Sequence, residues 1–397
     1  MPFRVLLLAG AIDRQAGSHF YHKQLIRQLA NRGHSVTAMC FNADNDVRNY
    51  AEIHQLPLRR FHESRFFWRF ASALESMDLR RRVRNNGSRN VDVVIAGEHL
   101  LIPAVVGRGG CRVPWVYLPH SLNVTSFLNT VGMPASMKTF TIWHYRRIQA
   151  WAMRHSDCTL RFTKQSCRAL MRSYGGKVRP RFVVNPMGVE FPTIDRRTCG
   201  SGETRILSVS QLAPGKRLHA AIAALSLLKN ESWHFDIVGD GVARRELQEM
   251  TSRMHLDGRV TFHGYQADPS RWYREADLFL LPSQSENCPL ALLEAMSFGV
   301  PCLAMKPDNA QFESANDELM TDGVDGFLAA SDEHFVSLLG DCIRDPKRLH
   351  LAGQRARERV MNEHSWERHI DCYETVFEML TSENHSKGNP ADKVCLQ

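Results

Sequence analysis

Two carboxylates and a helix start stand close together in the run Ser285–Pro301, SENCPLALLEAMSFGVP. Glu286 precedes Asn287-Cys288-Pro289-Leu290, where an apolar helical pattern opens, and Glu294 follows inside that pattern. A helix N-terminus offers N–H groups without intrahelical partners and a partial positive charge, which together favour a phosphate. Glu294 lies about two turns beyond Glu286 on a 3.6-residue period. One carboxylate can stand at the loop while the other reaches from the helix. A carboxylate is a natural bidentate acceptor for neighbouring ribose hydroxyls, as in dinucleotide sites. The chemistry suggested is the binding of a phosphorylated nucleoside. Spacing alone reads equally as two unrelated surface glutamates.

Such residues need a sheet to position them. Val5–Ala9 is a continuous apolar run, the mark of a strand buried on both faces. Residues 18–32 carry apolar positions at helical spacing, Gly33 ends that helix, and Ser35–Cys40 reads as the next strand. Val91–Ala96, Val113–Leu118 and Cys158–Phe162 repeat the strand pattern. Pro186, Gly188, Pro192, Gly200 and Gly202 then interrupt any periodicity, as a hinge would. A second series follows, with strands at Ile206–Val209, Phe235–Val238, Val260–Phe262, Leu278–Leu281 and Cys302–Ala304. Its helices are expected at Leu218–Leu228, Arg244–Met254 and Leu290–Phe298, and 347–382 reads as helix only. Strand and helix alternating in this way predict parallel sheets covered by helices on both faces. The residues that carry chemistry should then sit just after strands, as Glu286 does.

The chain has 397 residues, which suits two medium domains. No apolar run reaches the roughly 18 residues of a membrane span. The start lacks the basic leader and cleavage site of a signal peptide. Ten cysteines are scattered without a Cys-x-x-Cys pair, which argues for a reducing cytoplasm. The net charge of +8 hides an asymmetry: residues 1–196 carry +17 and residues 197–397 carry −9. A basic half facing a polyanion is one reading, and a solvated basic surface is the other.

The run Ser285–Pro301 closely resembles the two-glutamate motif of glycosyltransferase family 4, whose members have the GT-B fold. Further landmarks follow in the family's order: Ala30–Val36, Asn185–Val189, Asp236–Gly241, Arg259–Gly264, Tyr273–Asp277 and Asp322–Leu328. The resemblance runs from about Arg4 to Leu380. It implies an α/β protein with two Rossmann-like, doubly wound parallel-sheet domains facing a central cleft. The expected domains are an acceptor-binding half at 1–196 and a nucleotide-sugar-binding half at 197–365. A helix at 366–382 should return to the first half, and 383–397 should form a disordered tail.

The resemblance also implies roles, residue by residue. Glu294 would hold the ribose hydroxyls and Glu286 the hydroxyls of the donor sugar. Lys216 matches the family's diphosphate lysine, and a cation there stabilises the charge that grows on the leaving diphosphate. His120, after the strand Val113–Leu118, matches a histidine near the reacting sugar and acceptor. Gly17 matches a loop where backbone approaches the diphosphate. Asn287, Cys288, Pro289 and Leu290 would meet the sugar or diphosphate, and Ser210, Gln211, Arg217, Gly239 and Tyr265 complete the expected donor-binding set. The implied reaction is retaining transfer to an acceptor hydroxyl, in polysaccharide, lipopolysaccharide or glycolipid synthesis. A UDP-sugar donor is favoured over a GDP-sugar, with no cofactor.

The chain departs from the family at four places, one of them the first loop, where Ala16-Gly17-Ser18 holds a single glycine instead of the usual pair. Gln211 stands where arginine is usual, which removes one fixed cation. Arg217 stands where glycine is common and is a candidate to compensate. Pro307-Asp-Asn-Ala-Gln311 replaces a Gly-Gly segment. These departures keep open an inactive GT-B protein that only binds a nucleotide sugar or an anionic lipid, and a nucleotide-sugar epimerase. Asp44-Asn45-Asp46 spells the Asp-x-Asp motif of metal-dependent sugar transferases but reads here as a turn, so no catalytic metal is expected.

The stretch from Arg59 to Arg89 interleaves Arg59, Arg60, Arg65, Arg69, Arg80, Arg81 and Arg82 with Trp68 and four phenylalanines. It suits an acceptor or the inner face of an anionic membrane. It suits equally a helix that packs its aromatics and shows its arginines to water. Nucleic acid is the least favoured partner, for want of a recognised motif.

Overall fold

The structure is a computed structural model that describes residues 1–12, 17–55, 91–97, 113–120, 135–176, 178–193, 202–307 and 314–386. The chain divides into two units. One comprises Met1–Arg161, Leu170–Asn185 and Ile370–Gln397, the other Phe162–Ala169 and Pro186–His369.

The first unit holds a seven-stranded parallel sheet. Its spatial order is Glu52–Gln55, Ser35–Cys40, Arg4–Leu8, Val93–Ala96, Trp115–Tyr117, Cys158–Arg161 and Phe182–Val184. Leu6 pairs with Thr37 on one side and Val94 on the other. Val5 to Leu8 are all buried, because both faces of a central parallel strand are covered. Glu52–Gln55 escaped the hydrophobic pattern because only Ile53 is apolar. Pairing with Thr37–Cys40 defines this edge strand. The helix Gly17–Asn31 buries Leu25, Ile26 and Leu29, and each fully buried aliphatic side chain of this kind contributes about 1.5–3 kcal/mol. It stops at Gly33, whose φ of 88° is open to glycine at little cost, while the His34 amide returns to the Leu29 carbonyl at 3.1 Å.

The last helix, Trp366–Ser386, meets the first unit from Ile370 onward. The Tyr373 and Tyr21 hydroxyls lie 3.0 Å apart in the interior. Arg32 pairs with Asp371 and Glu374, and His34 Nε2 lies 2.9 Å from Glu374. Residues 383–386, expected in a disordered tail, are helical.

The second unit holds a six-stranded parallel sheet in the order Val260–Gly264, Trp233–Val238, Thr204–Val209, Leu278–Leu281, Cys302–Met305 and Gly326–Ala329. Its core gathers Ile206, Ile222, Leu225, Trp233, Phe235, Leu280, Phe327 and Phe335. The sequence pattern overlooked the helix Asp332–Arg344, which starts where Ser331 Oγ accepts from the His334 amide at 3.2 Å. Residues 347–382, expected as helix only, form two helices, Pro346–Glu363 and Trp366–Ser386, separated at His364–Ser365, and the second starts where the helix 366–382 was expected.

Counted along each unit, the strands lie in the order 3-2-1-4-5-6, with a seventh appended in the first unit. This is the Rossmann order. It places a topological switch point between strands 1 and 4, where ligands of such sheets bind beyond the carboxyl ends.

Candidate functional site

In the second unit the switch point falls between Thr204–Val209 and Leu278–Leu281, paired through Ile206–Leu278 and Leu207–Phe279. The chain leaving the first strand makes a 3-10 turn at Pro214–Lys216. The chain leaving the second runs through Pro282 and Ser283 toward the helix Leu290–Ser297. These two exits bring Lys216 Nζ to 2.7 Å from Glu286 Oε1. Ser283 Oγ donates to the same oxygen at 2.6 Å. Glu286 is 8% exposed, so its charge needs these partners, whereas the Lys216 side chain is 34% exposed and reaches solvent.

The helix Leu290–Ser297 forms because Leu, Ala, Glu and Met are strong helix formers. It buries Leu292, Leu293, Ala295 and Met296 and ends at Gly299, at a φ of 71°. Its first turn leaves amides without intrahelical partners. Glu294 stands one turn inside it, with Oε2 accepting from the Tyr273 hydroxyl at 2.9 Å. Tyr273 belongs to the helix Ser270–Glu275 and stacks on Phe298 with ring centres 5.3 Å apart. Burial pushes the Glu294 carboxyl up to about 7. The Tyr273 bond pulls the other way, and the negative charges of Glu190 and Asp268 add to the rise.

The remaining sequence candidates fall as follows. Ser210 follows the strand Thr204–Val209 with a buried Oγ that has no hydrogen-bond partner among the described residues. Gln211 is exposed. Gly239 has a φ of 138°, and a Cβ there would lie 1.9 Å from the Ser210 carbonyl oxygen. The protein's own backbone therefore demands this glycine, by pressing two loops together. Arg217 sits in the left-handed region at φ 53° and sends its guanidinium to both oxygens of Asp332, at 2.8 and 2.7 Å. The structure thus joins Arg217 to Asp332 and to the Pro282 carbonyl, 3.4 Å away, while Glu286 takes Lys216 and Ser283. Tyr265 is half exposed, and Asn287 and Cys288 are partly buried in the loop before Pro289 and Leu290.

Gly17 and His120 belong to the first unit. Gly17 opens its helix, and among the described residues none lies within 4 Å of where a Cβ would stand. His120 follows the strand Trp115–Tyr117, and its Nε2 lies 2.8 Å from His22 Nε2. Asp44 and Asp46 both bind the buried Lys23 ammonium, at 2.6 and 2.8 Å, so an internal cation balances the Asp-x-Asp carboxylates. Arg59, Arg60, Arg65, Trp68, Arg69, Arg80, Arg81 and Arg82 lie outside the described residues, as do residues 308–311 of the Gly-Gly replacement. Among the described residues no helix is long and apolar enough to cross a membrane.

Sequence reasoning missed Ser283, Tyr273 and His22. Ser283, three positions before Glu286, carries a weak signal as a turn residue. Tyr273 opens the landmark Tyr273–Asp277, but only the fold brings it beside Glu294.

The family model described as "Glycosyl transferases group 1" matches residues 194–359, and the "Glycosyl transferase 4-like domain" matches residues 16–188. The chain belongs to glycosyltransferase family 4. The family 4 chain is similar to the N-acetyl-alpha-D-glucosaminyl L-malate synthase of Bacillus anthracis, 28% identical over 47% of this chain and 48% of that one. It is also similar to the UDP-Gal:alpha-D-GlcNAc-diphosphoundecaprenol alpha-1,3-galactosyltransferase of Escherichia coli, 30% identical over 43% of this chain and 44% of that one. The aligned part thus spans about half the length of these relatives. Sucrose-phosphate synthase from Thermosynechococcus elongatus superposes with a TM-score of 0.79 at 17% identity, covering 96% of this chain and 100% of that one. The fold is GT-B.

Proposed function

We propose that this family 4 chain transfers a sugar from a nucleotide-sugar donor, a UDP-sugar before a GDP-sugar, to an acceptor hydroxyl with retention of configuration. The proposed setting is polysaccharide, lipopolysaccharide or glycolipid synthesis in the cytoplasm. The stretch Arg59–Arg89 would lie against a phosphorylated acceptor or the inner membrane face. The observation that carries the reading is Lys216 held on Glu286 at the switch point, beside the helix start that precedes Glu294. The E. coli relative, whose name specifies a UDP-Gal donor, supports the choice of base.

The chemistry needs neither metal nor cofactor. Glu294, once ionised, accepts from two ribose hydroxyls. The helix amides and Lys216 meet the diphosphate, and Glu286 turns from Lys216 to hydroxyls of the sugar. As the bond from the anomeric carbon to the phosphate oxygen breaks, the acceptor oxygen bonds to the same face of that carbon. The acceptor proton passes to the departing phosphate oxygen. Lys216 and the helix terminus stabilise the growing charge. Nucleotide release from a panel of UDP- and GDP-sugars, with and without glycan and lipid-linked acceptors, tests this. Release that depends on both donor and acceptor is expected, and inertness across the panel would end the reading.

A second reading, a nucleotide-sugar binding protein without transfer, draws on the neutral, exposed Gln211 and on Arg217 held by Asp332. It predicts donor binding with no nucleotide release in the same panel.

A further inference from the structure

His22 lies on the helix Gly17–Asn31 and is 3% exposed. Its Nε2 is 2.8 Å from His120 Nε2, and the two rings meet edge to face at 89° with centres 4.5 Å apart. Tyr21 packs on the His120 ring from the neighbouring position, at 5.4 Å. The close fit depends on Gly97, which follows the strand Val93–Ala96. A Cβ at Gly97 would stand 2.7 Å from His22 Nε2. Burial, with His19 nearby, pushes the His22 imidazole down to about 3, against a smaller opposing pull from the main chain at Ala11. Among the described residues His22 Nδ1 is buried and meets no partner at ordinary hydrogen-bond geometry, so the pull from Ala11 is a weak one.

Two Nε2 atoms at this distance share one hydrogen between them. His22, held neutral, cannot bring a second, so the ring that lacks the hydrogen at Nε2 carries its own at Nδ1, and the tautomers of the two rings are tied together. We infer that His22 is a positioning residue for His120, setting its ring orientation and tautomer. The inference rests on the reading of His120 as the histidine that faces the reacting sugar. A ring that loses this contact is held less firmly, and orientation of a reacting group is worth a large factor in rate.

The test combines spectra with kinetics. Long-range 1H–15N correlation of histidine-labelled protein at pH 7 should show a single His120 tautomer in the wild type and a mixture in His22→Leu. An unchanged His120 tautomer in His22→Leu overturns the inference. Should that variant fail to fold, Gly97→Ala keeps both histidines, crowds His22, and should give the same mixture. An unchanged tautomer there overturns the inference as well.

In transfer assays His22→Leu should lower kcat about tenfold with donor KM within about twofold, and His22→Gln, which can place a polar group near the lost Nε2, should recover most of it. The double variant His22→Leu/His120→Ala should be no slower than His120→Ala, because the two act as one unit. Losses that multiply would mean His22 does not act through His120. If His120→Ala transfers at the wild-type rate, the role given to His120 falls, while the spectra still decide whether His22 positions it.

Discussion

Lys216 and Glu286 stand 70 positions apart in the chain, yet Nζ and Oε1 lie 2.7 Å apart. Strand order alone achieves this, because strands 1 and 4 of the second unit are neighbours at the switch point. The pair gives the buried Glu286 carboxylate a cationic partner that also reaches solvent.

Replacing Lys216 with alanine should lower turnover by at least about tenfold, equivalent to about 1.4 kcal/mol in barrier. Saturation kinetics measure it directly. Turnover and saturation at wild-type values would remove Lys216 from the site.

The Glu294 carboxyl, pushed up to about 7, should make donor binding depend on pH. Accepting from two ribose hydroxyls requires the ionised form, so affinity for a nucleotide sugar should rise from pH 6 to 8 and level off above. The expected gain is up to about tenfold for each unit below the midpoint. Tyr273→Phe removes a bond that lowers this pKa, and should move the midpoint upward. Calorimetric titration at several pH values checks both, and a flat profile for the wild type would refute the role of Glu294.

The same shift predicts the sign of a stability effect. The native state holds a proton on Glu294 that the unfolded chain, near the ordinary glutamate value, has lost. Stability from this group is therefore present below about 4.5 and declines as pH rises toward 7. Glu294→Gln should raise the melting temperature relative to wild type at pH 8 more than at pH 5. Equal differences at both values would contradict it.

Arg217→Gly should leave stability within about 1 kcal/mol of wild type. The strain of a left-handed non-glycine residue, about 1–2 kcal/mol, is relieved while a partly exposed ion pair of similar or smaller worth is lost. Donor affinity should stay within about twofold, since the guanidinium is engaged by Asp332. A large loss of affinity would return Arg217 to the donor site.

Transfer should proceed unchanged in EDTA. The Asp-x-Asp carboxylates already share the Lys23 ammonium, so the motif has an internal counter-ion. Activity abolished by EDTA and restored by Mn2+ would overturn metal independence.

The second sheet and the Glu286–Glu294 run were legible because continuous apolar runs and a strand–turn–helix pattern are local signals. Leu278–Leu281 was read with the bounds it has in the fold. Glu52–Gln55 was not legible, since an edge strand can be polar where water takes one face. The helix Asp332–Arg344 follows closely on the Gly326–Ala329 strand and was lost in that neighbourhood. The partners that tune the site, Tyr273 on Glu294 and His22 on His120, are contacts between elements far apart in sequence. Residue type and spacing carry no trace of them. Gly239 shows the converse: expected among the donor-binding residues, it is required by the Ser210 carbonyl that fills its missing side-chain space.

A thermal-shift and calorimetric comparison of the wild type with Lys216→Ala, Glu286→Gln and Glu294→Gln, across UDP- and GDP-sugars, tests the central claim most directly. At least one nucleotide sugar should raise the wild-type melting temperature, and each substitution should weaken its affinity about tenfold or more. Indifference of the wild type to every nucleotide sugar, or undiminished affinity in all three variants, would contradict a donor site built from these residues.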